Sequence, residues 1–273
     1  MDVPPPQQPV HWWDIEQKVW GEGFSDPVSG PFLTALIKPL EPESYSELLL
    51  LGAGFGGAAS EIVSRHGAKV AAHEAVTELA EAATAHWAAS AMEKPPAIEP
   101  CDLAVATLPS RTFDGGLALN AFLPVGDKAG ALKRIEQALK LRKRLVILEA
   151  FADEDIDPKS EVFQAWRDAE PTPVHLMSYS DFEAVLQETG FTLLDQKDLT
   201  AAYQDLITGG WAKAMRTLRP PTDGSVDADA FVECVMRQCR RWTLLSTLLK
   251  EEKLRIYLVN AQVGESAKLM SDW

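Results

Sequence analysis

The stretch from Ser46 to Gly57 constrains the fold of this chain more than any other part of the sequence. It contains the apolar run Leu48-Leu49-Leu50-Leu51, which ends abruptly in Gly52-Ala53-Gly54-Phe55-Gly56-Gly57. A short apolar run bounded by glycine is typical of a strand buried on both faces of a parallel sheet. Glycines after such a strand let the backbone approach a ligand, and the following helix presents free N–H groups. The stretch predicts an α/β fold with a ligand site at the end of the first strand.

The rest of the chain alternates between short apolar segments and helical patterns, which predicts a mostly parallel sheet with helices on both faces. The further predicted strands are 68–73, 101–106, 114–119, 144–150, 191–194 and 254–259. The predicted helices between them cover 57–66, 75–90, 127–141 and 180–189. With the first strand included, the pattern accounts for a core of residues 46–200 and a last strand and tail in 253–273.

Two regions lie outside this alternation. Residues 1–45 hold a Pro/Gln-rich tail, short helices predicted at 11–19 and 30–38, and a glycine-broken segment, Trp20-Gly21-Glu22-Gly23-Phe24-Ser25-Asp26, which we name the lid loop. Residues 201–252 are helical and broken at Arg219-Pro220-Pro221-Thr222-Asp223-Gly224. Because this connection is far longer than usual, we interpret it as a helical cap over the ligand edge of the sheet. The alternative, helices that merely pack on one face, stays open.

Charge and cysteine usage restrict the function. The 26 Lys and Arg against 40 Asp and Glu leave a formal charge of −14, which disfavours nucleic acid and anionic membranes as partners. Cys101, Cys234 and Cys239 form neither a metal pattern nor an even disulfide framework, and the histidines are scattered, so no metal site is predicted. The sequence has neither a membrane-length apolar run nor a signal-peptide pattern at Met1, so we expect a cytoplasmic protein.

The glycine turn, residues 52–57, fits two nucleotide-binding patterns. Gly52, Gly54 and Gly57 match Gly-x-Gly-x-x-Gly, which favours NAD or FAD, whereas Gly52, Gly54 and Gly56 match Gly-x-Gly-x-Gly, which favours S-adenosylmethionine. Glu74 ends the next predicted strand, where an acid can accept from the hydroxyls of a ribose. The short chain, the residues that precede the turn and the lack of a second dinucleotide half favour S-adenosylmethionine. An NAD- or FAD-linked oxidoreductase remains the lesser alternative.

From about Val19 to Val263 the chain resembles the Rossmann-like S-adenosylmethionine-dependent methyltransferases. The matching segments are Leu51–Gly57, Glu74, Phe113-Asp114, Leu139-Lys140, Leu145–Glu149 and Glu188–Phe191. Within that superfamily it is most similar to the phosphoethanolamine and small-amine N-methyltransferases, through Trp20–Ser25, Ser178–Phe182 and Lys197–Thr200. The resemblance implies a three-layer sandwich around a seven-stranded, mostly parallel sheet with the last strand antiparallel, an N-terminal helical lid and a helical insert between the last two strands.

The resemblance also implies a set of ligand contacts. The methionine end of the cofactor would lie against Gly52, Ala53, Gly54 and Gly56, its ribose against Glu74, and its adenine against Asp102. Leu119 and Asn120 would sit beside the transferable methyl group. The pocket would be closed by the lid loop through Trp20, Phe24 and Ser25. Apart from the resemblance, Tyr203 and Arg216 are candidate acceptor contacts because both belong to the predicted cap.

Several positions depart from the family pattern. Leu50 stands where the family usually has an acid, Phe24 where the amine methyltransferases have a tyrosine, and Pro124 where their partner histidine falls. Leu119-Asn120 likewise replaces an Arg-Asp pair. Two hypotheses follow: a methyltransferase that acts on a nitrogen or oxygen of a small molecule, or a catalytically silent binding or scaffold subunit. A homodimer and a partner subunit both remain open.

No catalytic residue is assigned from the sequence. The weak candidates for a general base are Tyr203, His175 and Tyr179, while His73 is better explained as a packing residue at the rim of the sheet. The cap concentrates basic side chains that would hold a carboxylate or phosphate on the acceptor, or else form an ordinary solvated helix face: Lys213, Arg216, Arg219, Arg237, Arg240 and Arg241.

Overall fold

Strand β1 (Glu47–Leu51) lies inside a seven-stranded sheet in the computed structural model, which describes residues 8–264. The other strands are β2 (Lys69–Glu74), β3 (Ile98–Pro100), β4 (Gly115–Leu119), β5 (Arg144–Ala152), β6 (Phe191–Asp198) and β7 (Leu254–Val263). Their order across the sheet is β3-β2-β1-β4-β5-β7-β6. Strands β1 to β5 pair in parallel, and β7 runs antiparallel to both β5 and β6. The predicted sheet is confirmed.

The helices form a layer on each face of this sheet. Their bounds are α1 (Trp12–Trp20), α2 (Gly30–Ile37), α3 (Gly57–His66), α4 (Thr77–Ala88), α5 (Lys128–Ala138), α6 (Glu161–Ala169), α7 (Tyr179–Glu188), α8 (Thr200–Thr217) and α9 (Ala228–Lys250). Leu48 and Leu50 pack into the core that holds α3, α4 and α9, whereas Leu49 and Leu51 pack into the core that holds α5 and α7. Strand β1 is therefore buried on both faces, as its apolar run predicts.

The third predicted strand is wrong in position. Strand β3 covers Ile98–Pro100, and the segment 101–106 that was expected to form it is a turn. Within that turn the Asp102 side chain accepts a hydrogen bond from Ala104 N–H at 2.8 Å. Asp side chains that bond to nearby backbone in this way favour turns over strands.

Helix α6 was not predicted from the sequence. Its first residue follows Ser160, whose hydroxyl accepts from Phe163 N–H, and its buried face consists of Phe163 and Trp166. These two side chains belong to the same core as the cap helix α9, against which α6 packs. The cap is thus supported by a helix that comes earlier in the chain.

Helices from the N-terminal region and from the cap meet on one face of the sheet. Helix α1 contacts both α8 and α9, and α8 contacts α9. Helix α8 begins at Thr200, next to the predicted start of the cap, and the subdivision of the chain at 45, 200 and 252 stays a prediction. Across the part of the chain that the structure describes, no helix is long and apolar enough to cross a membrane.

Candidate cofactor and acceptor site

The glycine turn after β1 is shaped by close approach to other backbone. Gly52 has a φ of +69°, and a Cβ at this position would collide with the carbonyl oxygen of Leu119 at the end of β4. Gly54 has a φ of +55°, and a Cβ there would collide with the hydroxyl of Ser25 in the lid loop. Both conformations lie in the region that glycine tolerates best, so the turn depends on glycine for conformation and for space.

Three glycine amides of the turn are already paired within the protein. Gly54 N–H donates to the Glu74 carboxylate at 2.8 Å, and Gly57 N–H donates to the carbonyl of Gly23 at 2.7 Å. Gly56 N–H donates to the carbonyl of Ala53 at 2.9 Å. The lid loop therefore covers the start of α3, which is the helix end that would otherwise attract an anion.

Glu74 lies at the carboxyl end of β2 and is only 8% exposed. Besides Gly54, its carboxylate accepts from Val76 N–H at 3.0 Å. Burial raises the pKa of Glu74, and these backbone hydrogen bonds oppose the rise. The side chain is held in one orientation beside the cavity described next.

A cavity of about 370 Å³ opens at the carboxyl edge of the parallel strands and is covered by the lid loop and by helices α8 and α9. This volume lies within the roughly 300–1,000 Å³ of typical small-molecule pockets. Among its lining residues are several that the sequence singled out, namely Gly52, Gly54, Glu74, Asp102, Leu119, Asn120 and Tyr203. Residues from distant parts of the chain therefore converge at this edge, as ligand sites of α/β sheets do.

At the middle of the cavity, Asn120 links the sheet to the lid and the cap. Its side-chain Nδ2 donates to the Asp26 carboxylate at 3.3 Å and to the Tyr203 hydroxyl at 3.4 Å. Asp26 also accepts from Val28 N–H at 2.9 Å, and burial raises its pKa. Burial raises the pKa of Tyr203 well above its usual value, so its hydroxyl stays protonated at neutral pH.

The segment after Asn120 is held in place by a hydrogen bond to Glu149 of β5. The fully buried Glu149 carboxylate accepts from Phe122 N–H at 2.7 Å, and burial raises its pKa to about 7. Nζ of Lys128 donates to the carbonyl of Val125, in the same segment, at 2.8 Å. These contacts hold the backbone that carries Asn120 and Leu123 against the cavity.

The end of the cavity at the cap contains a buried charge cluster. Arg241 of α9 pairs with Glu170 at 2.9 Å and with Glu16 of α1 at 3.5 Å. Glu16 also accepts from the indole N–H groups of Trp20 at 2.5 Å and Trp242 at 2.8 Å. Burial raises the pKa of Glu16 to about 7, while the charge of Arg241 opposes that rise. The cluster links α1, through Glu16, to α9, through Arg241.

Three predicted acceptor contacts do not line the cavity. Trp20 is buried beside Trp242, with ring centroids 5.0 Å apart, and beside Trp211. Phe24 packs against Gly57 at the start of α3, and Arg216 is exposed on α8. None of these side chains is among the residues that line the cavity, and contact of Trp20, Phe24 and Arg216 with an acceptor stays a prediction.

Two of the weak catalytic candidates are also absent from the residues that line the cavity. His175 sits beside Gly126, and Tyr179 packs against Phe151 and Tyr257 in the core on the other face of the sheet. Burial raises the pKa of Tyr179 to about 12, which further disfavours a base. Among the predicted cofactor contacts, Ala53 and Gly56 are absent from the cavity lining, and Gly56 lies against Trp87 instead.

The basic side chains of the cap are mostly solvated. Exposed positions are occupied by Lys213, Arg216, Arg219, Arg237 and Arg240. Among the described residues that line the cavity, Arg241 is the one Lys or Arg, and two carboxylates share it. The cap therefore presents no unpaired cation to the cavity within the described chain.

Sequence reasoning missed four residues of the site: Asp26, Glu16, Glu170 and Trp166. Asp26 had a signal, since it directly follows Trp20–Ser25, the segment that carries the resemblance. Glu16 had a weaker one, because an acid three residues from Trp13 and four from Trp20 faces the core of an amphipathic helix. Glu170 and Trp166 belong to a segment to which no element was assigned. The ion-pair partner of Glu170, Arg241, is 71 residues distant.

No protein-family model matches the chain. Among curated proteins it is 24% identical over 164 residues to an O-methyltransferase of Pyrenophora dematioidea, covering 60% of this chain and 61% of that protein. It is 24% identical over 160 residues to O-methyltransferase cnsE of Penicillium expansum, covering 59% and 57%. The matches thus span about three fifths of the length of these relatives.

Solved methyltransferase structures share the fold over most of the chain. The Haemonchus contortus phosphoethanolamine N-methyltransferase 2, in complex with phosphomonomethylethanolamine and S-adenosylhomocysteine, superposes with a TM-score of 0.77 at 17% identity, covering 93% of this chain and 57% of that one. The cyclopropane synthase MmaA2 of Mycobacterium tuberculosis gives 0.69 at 14% identity, covering 92% and 95%. The chain has the Rossmann-like fold of S-adenosylmethionine-dependent methyltransferases, which confirms the predicted fold.

Proposed function

We propose that this protein is an S-adenosylmethionine-dependent methyltransferase that acts on a small molecule. One observation carries the proposal: in a methyltransferase fold, the glycine turn, the buried Glu74 and Asn120 line one cavity at the carboxyl edge of the sheet. That edge is where α/β sheets bind their ligands. Similarity to curated O-methyltransferases supports the same conclusion.

The cavity residues suit this cofactor better than a dinucleotide. A dinucleotide places its pyrophosphate on the free amides of the glycine turn and of the next helix. Here the amides of Gly54, Gly56 and Gly57 are taken by Glu74, Ala53 and Gly23. We propose that S-adenosylmethionine is held by Gly52, Gly54, Glu74, Asp102, Leu119 and Asn120. When bound, it supplies an electrophilic methyl group on a sulfonium.

The chain's own residues would mainly position the acceptor and exclude water. In-line methyl transfer needs the nucleophile close to the methyl group and aligned with the bond that breaks. Asn120 and the protonated hydroxyl of Tyr203 lie next to each other, where they can orient an oxygen or nitrogen nucleophile by hydrogen bonds. The lid loop shields the glycine turn through the contact of Gly23 with Gly57.

We propose that the acceptor is compact, largely apolar and not anionic. Aromatic and aliphatic side chains form the cavity wall near the cap, including Trp12, Trp166, Trp242, Leu245 and Ile256. The cavity also holds the carboxyl groups of Asp26 and Glu170, while Arg241 is shared between Glu170 and Glu16. A phosphate or carboxylate would meet these acids without a free cation to balance it. This departs from the sequence-based idea of an anionic acceptor.

A catalytically silent binding or scaffold protein is the second candidate. It is favoured by Leu50, which is fully buried in the core, and by Pro124, which lines the cavity where the amine methyltransferases have a histidine. Both hypotheses predict cofactor binding. Transfer of a labelled methyl group from S-adenosylmethionine to any acceptor by the purified chain would exclude the silent protein.

A thermal-shift panel with S-adenosylhomocysteine, NAD and FAD tests the proposal. A ligand that binds only the folded state stabilises it by roughly 2.7 kcal/mol at a concentration of 100 times its Kd. We expect the melting temperature to rise with S-adenosylhomocysteine alone. A rise with NAD or FAD alone would instead support the oxidoreductase alternative. The cytoplasmic location stays a proposal, to be tested by cell fractionation.

A further inference from the structure

Asp26 is a carboxylate beside the cavity that lacks a cationic partner of its own. Its hydrogen bonds come from two neutral donors, Val28 N–H at 2.9 Å and the Asn120 side chain at 3.3 Å. Within residues 8–264 it makes no ion pair within 4 Å, and the nearby Arg241 is committed to Glu16 and Glu170. A carboxylate removed from water is costly unless a positive charge balances it. The cavity is therefore suited to a cationic group at this point.

Asp26 is also placed next to the glycine turn. Its neighbour Ser25 lies against Gly54, and its partner Asn120 follows Leu119, whose carbonyl lies against Gly52. Two segments that define the turn thus lead directly to the Asp26 carboxylate. This is the end of the cavity at which the methionine moiety of the cofactor would lie.

Strand β1 does not supply an acid at this end of the cavity. Leu50 stands where the family resemblance implies an acid, and its side chain is fully buried with Leu48 in the core on the α3 and α4 face. Apart from Asp26, the cavity acid nearest in the fold to the glycine turn is Glu74, which two backbone amides already engage. Asp26 is left as the acid available for a cation.

We propose that the Asp26 carboxylate binds the α-ammonium group of the cofactor's methionine moiety, so that the lid loop supplies the acid that β1 lacks at Leu50. This inference rests on the proposed function. It adds that a residue of the lid loop contacts the cofactor directly, because the acid belongs to the lid. The interaction is a charge-assisted hydrogen bond, and no covalent step is involved.

Calorimetry with two ligands tests this assignment. S-adenosylhomocysteine carries the amino-acid moiety, whereas 5′-methylthioadenosine keeps the adenine and ribose and lacks it. We expect Asp26→Asn to weaken S-adenosylhomocysteine binding roughly 10- to 100-fold, because a hydrogen bond to a charged group is lost. Binding of 5′-methylthioadenosine should stay within about twofold of the unaltered protein.

Glu22→Gln is the matched control, because it removes the same charge from the same loop. Glu22 is exposed and pairs with His86 rather than facing the cavity. Its variant should bind both ligands as the unaltered protein does.

The remaining outcomes overturn the inference in distinguishable ways. Equal losses for both ligands in Asp26→Asn would mean that Asp26 only shapes the lid loop. Unchanged affinity for both would mean that the carboxylate serves another group, such as an amine on the acceptor. An unaltered protein that binds neither ligand would overturn the proposed function and this inference with it.

Discussion

The two ends of the cavity are built in different ways. The end at the glycine turn is made by backbone: Gly52 lies against the carbonyl of Leu119, and the amide of Gly54 holds Glu74. The end at the cap is made by side chains from three helices or their ends, joined by Arg241, Glu16 and Glu170. The first end accepts little variation in residue type, because there is no space for a side chain. The cap end depends on the balance between one arginine and two acids. A substitution of one of these residues there can therefore be offset by a substitution of its partner.

The largest effect is expected from breaking the charge cluster at the cap end. Arg241→Met leaves Glu16 and Glu170 without their shared cation, and removal of one partner from a buried pair costs about 3–5 kcal/mol. Urea unfolding measures this loss. Arg240→Met, at the exposed neighbouring position, should change stability by less than about 0.5 kcal/mol. If Arg241→Met and Arg240→Met had equal unfolding free energies, the charge cluster would not stabilise the contact between α1 and α9.

The next effect is expected at the backbone-built end. Gly52→Ala forces a Cβ toward the carbonyl of Leu119 at a positive φ, and we expect a loss of about 2–4 kcal/mol together with loss of S-adenosylhomocysteine binding. Gly209 in α8 has open space around its Cα, so Gly209→Ala should stabilise the protein by about 1 kcal/mol. A Gly52→Ala variant as stable as the unaltered protein would contradict the packing argument.

The pH dependence of stability separates the two ends further. The pKa of Glu16 rises from 4.5 to about 7 on folding, so the folded state binds its proton more tightly than the unfolded chain does. Its contribution is complete below pH 4.5 and is lost as pH rises through about 7, by roughly 3 kcal/mol. Glu16→Gln cannot titrate and should lack this fall. The difference in unfolding free energy between the two proteins across this range measures it.

If the unfolding free energies of the unaltered protein and of Glu16→Gln differed by the same amount at every pH, the assignment of the titration to Glu16 would be contradicted. Glu149, which supports the loop after β4, has the same direction of shift, with its pKa also raised to about 7. Glu149→Gln is therefore a second probe of the same pH range at the sheet rather than at the lid.

The smallest effect is expected at Arg216. Because this side chain is exposed on α8 and does not line the cavity, Arg216→Ala should change stability by less than about 0.5 kcal/mol. In calorimetry, the Arg216→Ala variant should bind S-adenosylhomocysteine with the affinity of the unaltered protein. A clear loss of affinity would restore the sequence-based idea that this residue contacts a ligand.

Sequence and structure agree best where local patterns carry the information. The apolar run before Gly52 predicted β1 and its burial on both faces, because glycine and side-chain periodicity act on neighbouring residues. The same holds for Glu74 at the end of β2, which lines the cavity, whereas Asn120, which also lines it, was implied by the family resemblance. The strand predicted at 101–106 was wrong because Asp102 turns the chain there.

The sequence by itself determined the sheet, the glycine turn and the edge of the sheet at which the cavity lies. Only the tertiary structure decided that Asp26 meets Asn120 across 94 residues and that Trp242 meets Glu16 across 226. It also decided which of the cap's arginines faces inward. The physical reason is that helix orientation in the lid and cap follows from packing and charge pairing between distant segments. No local pattern in the sequence records those partners.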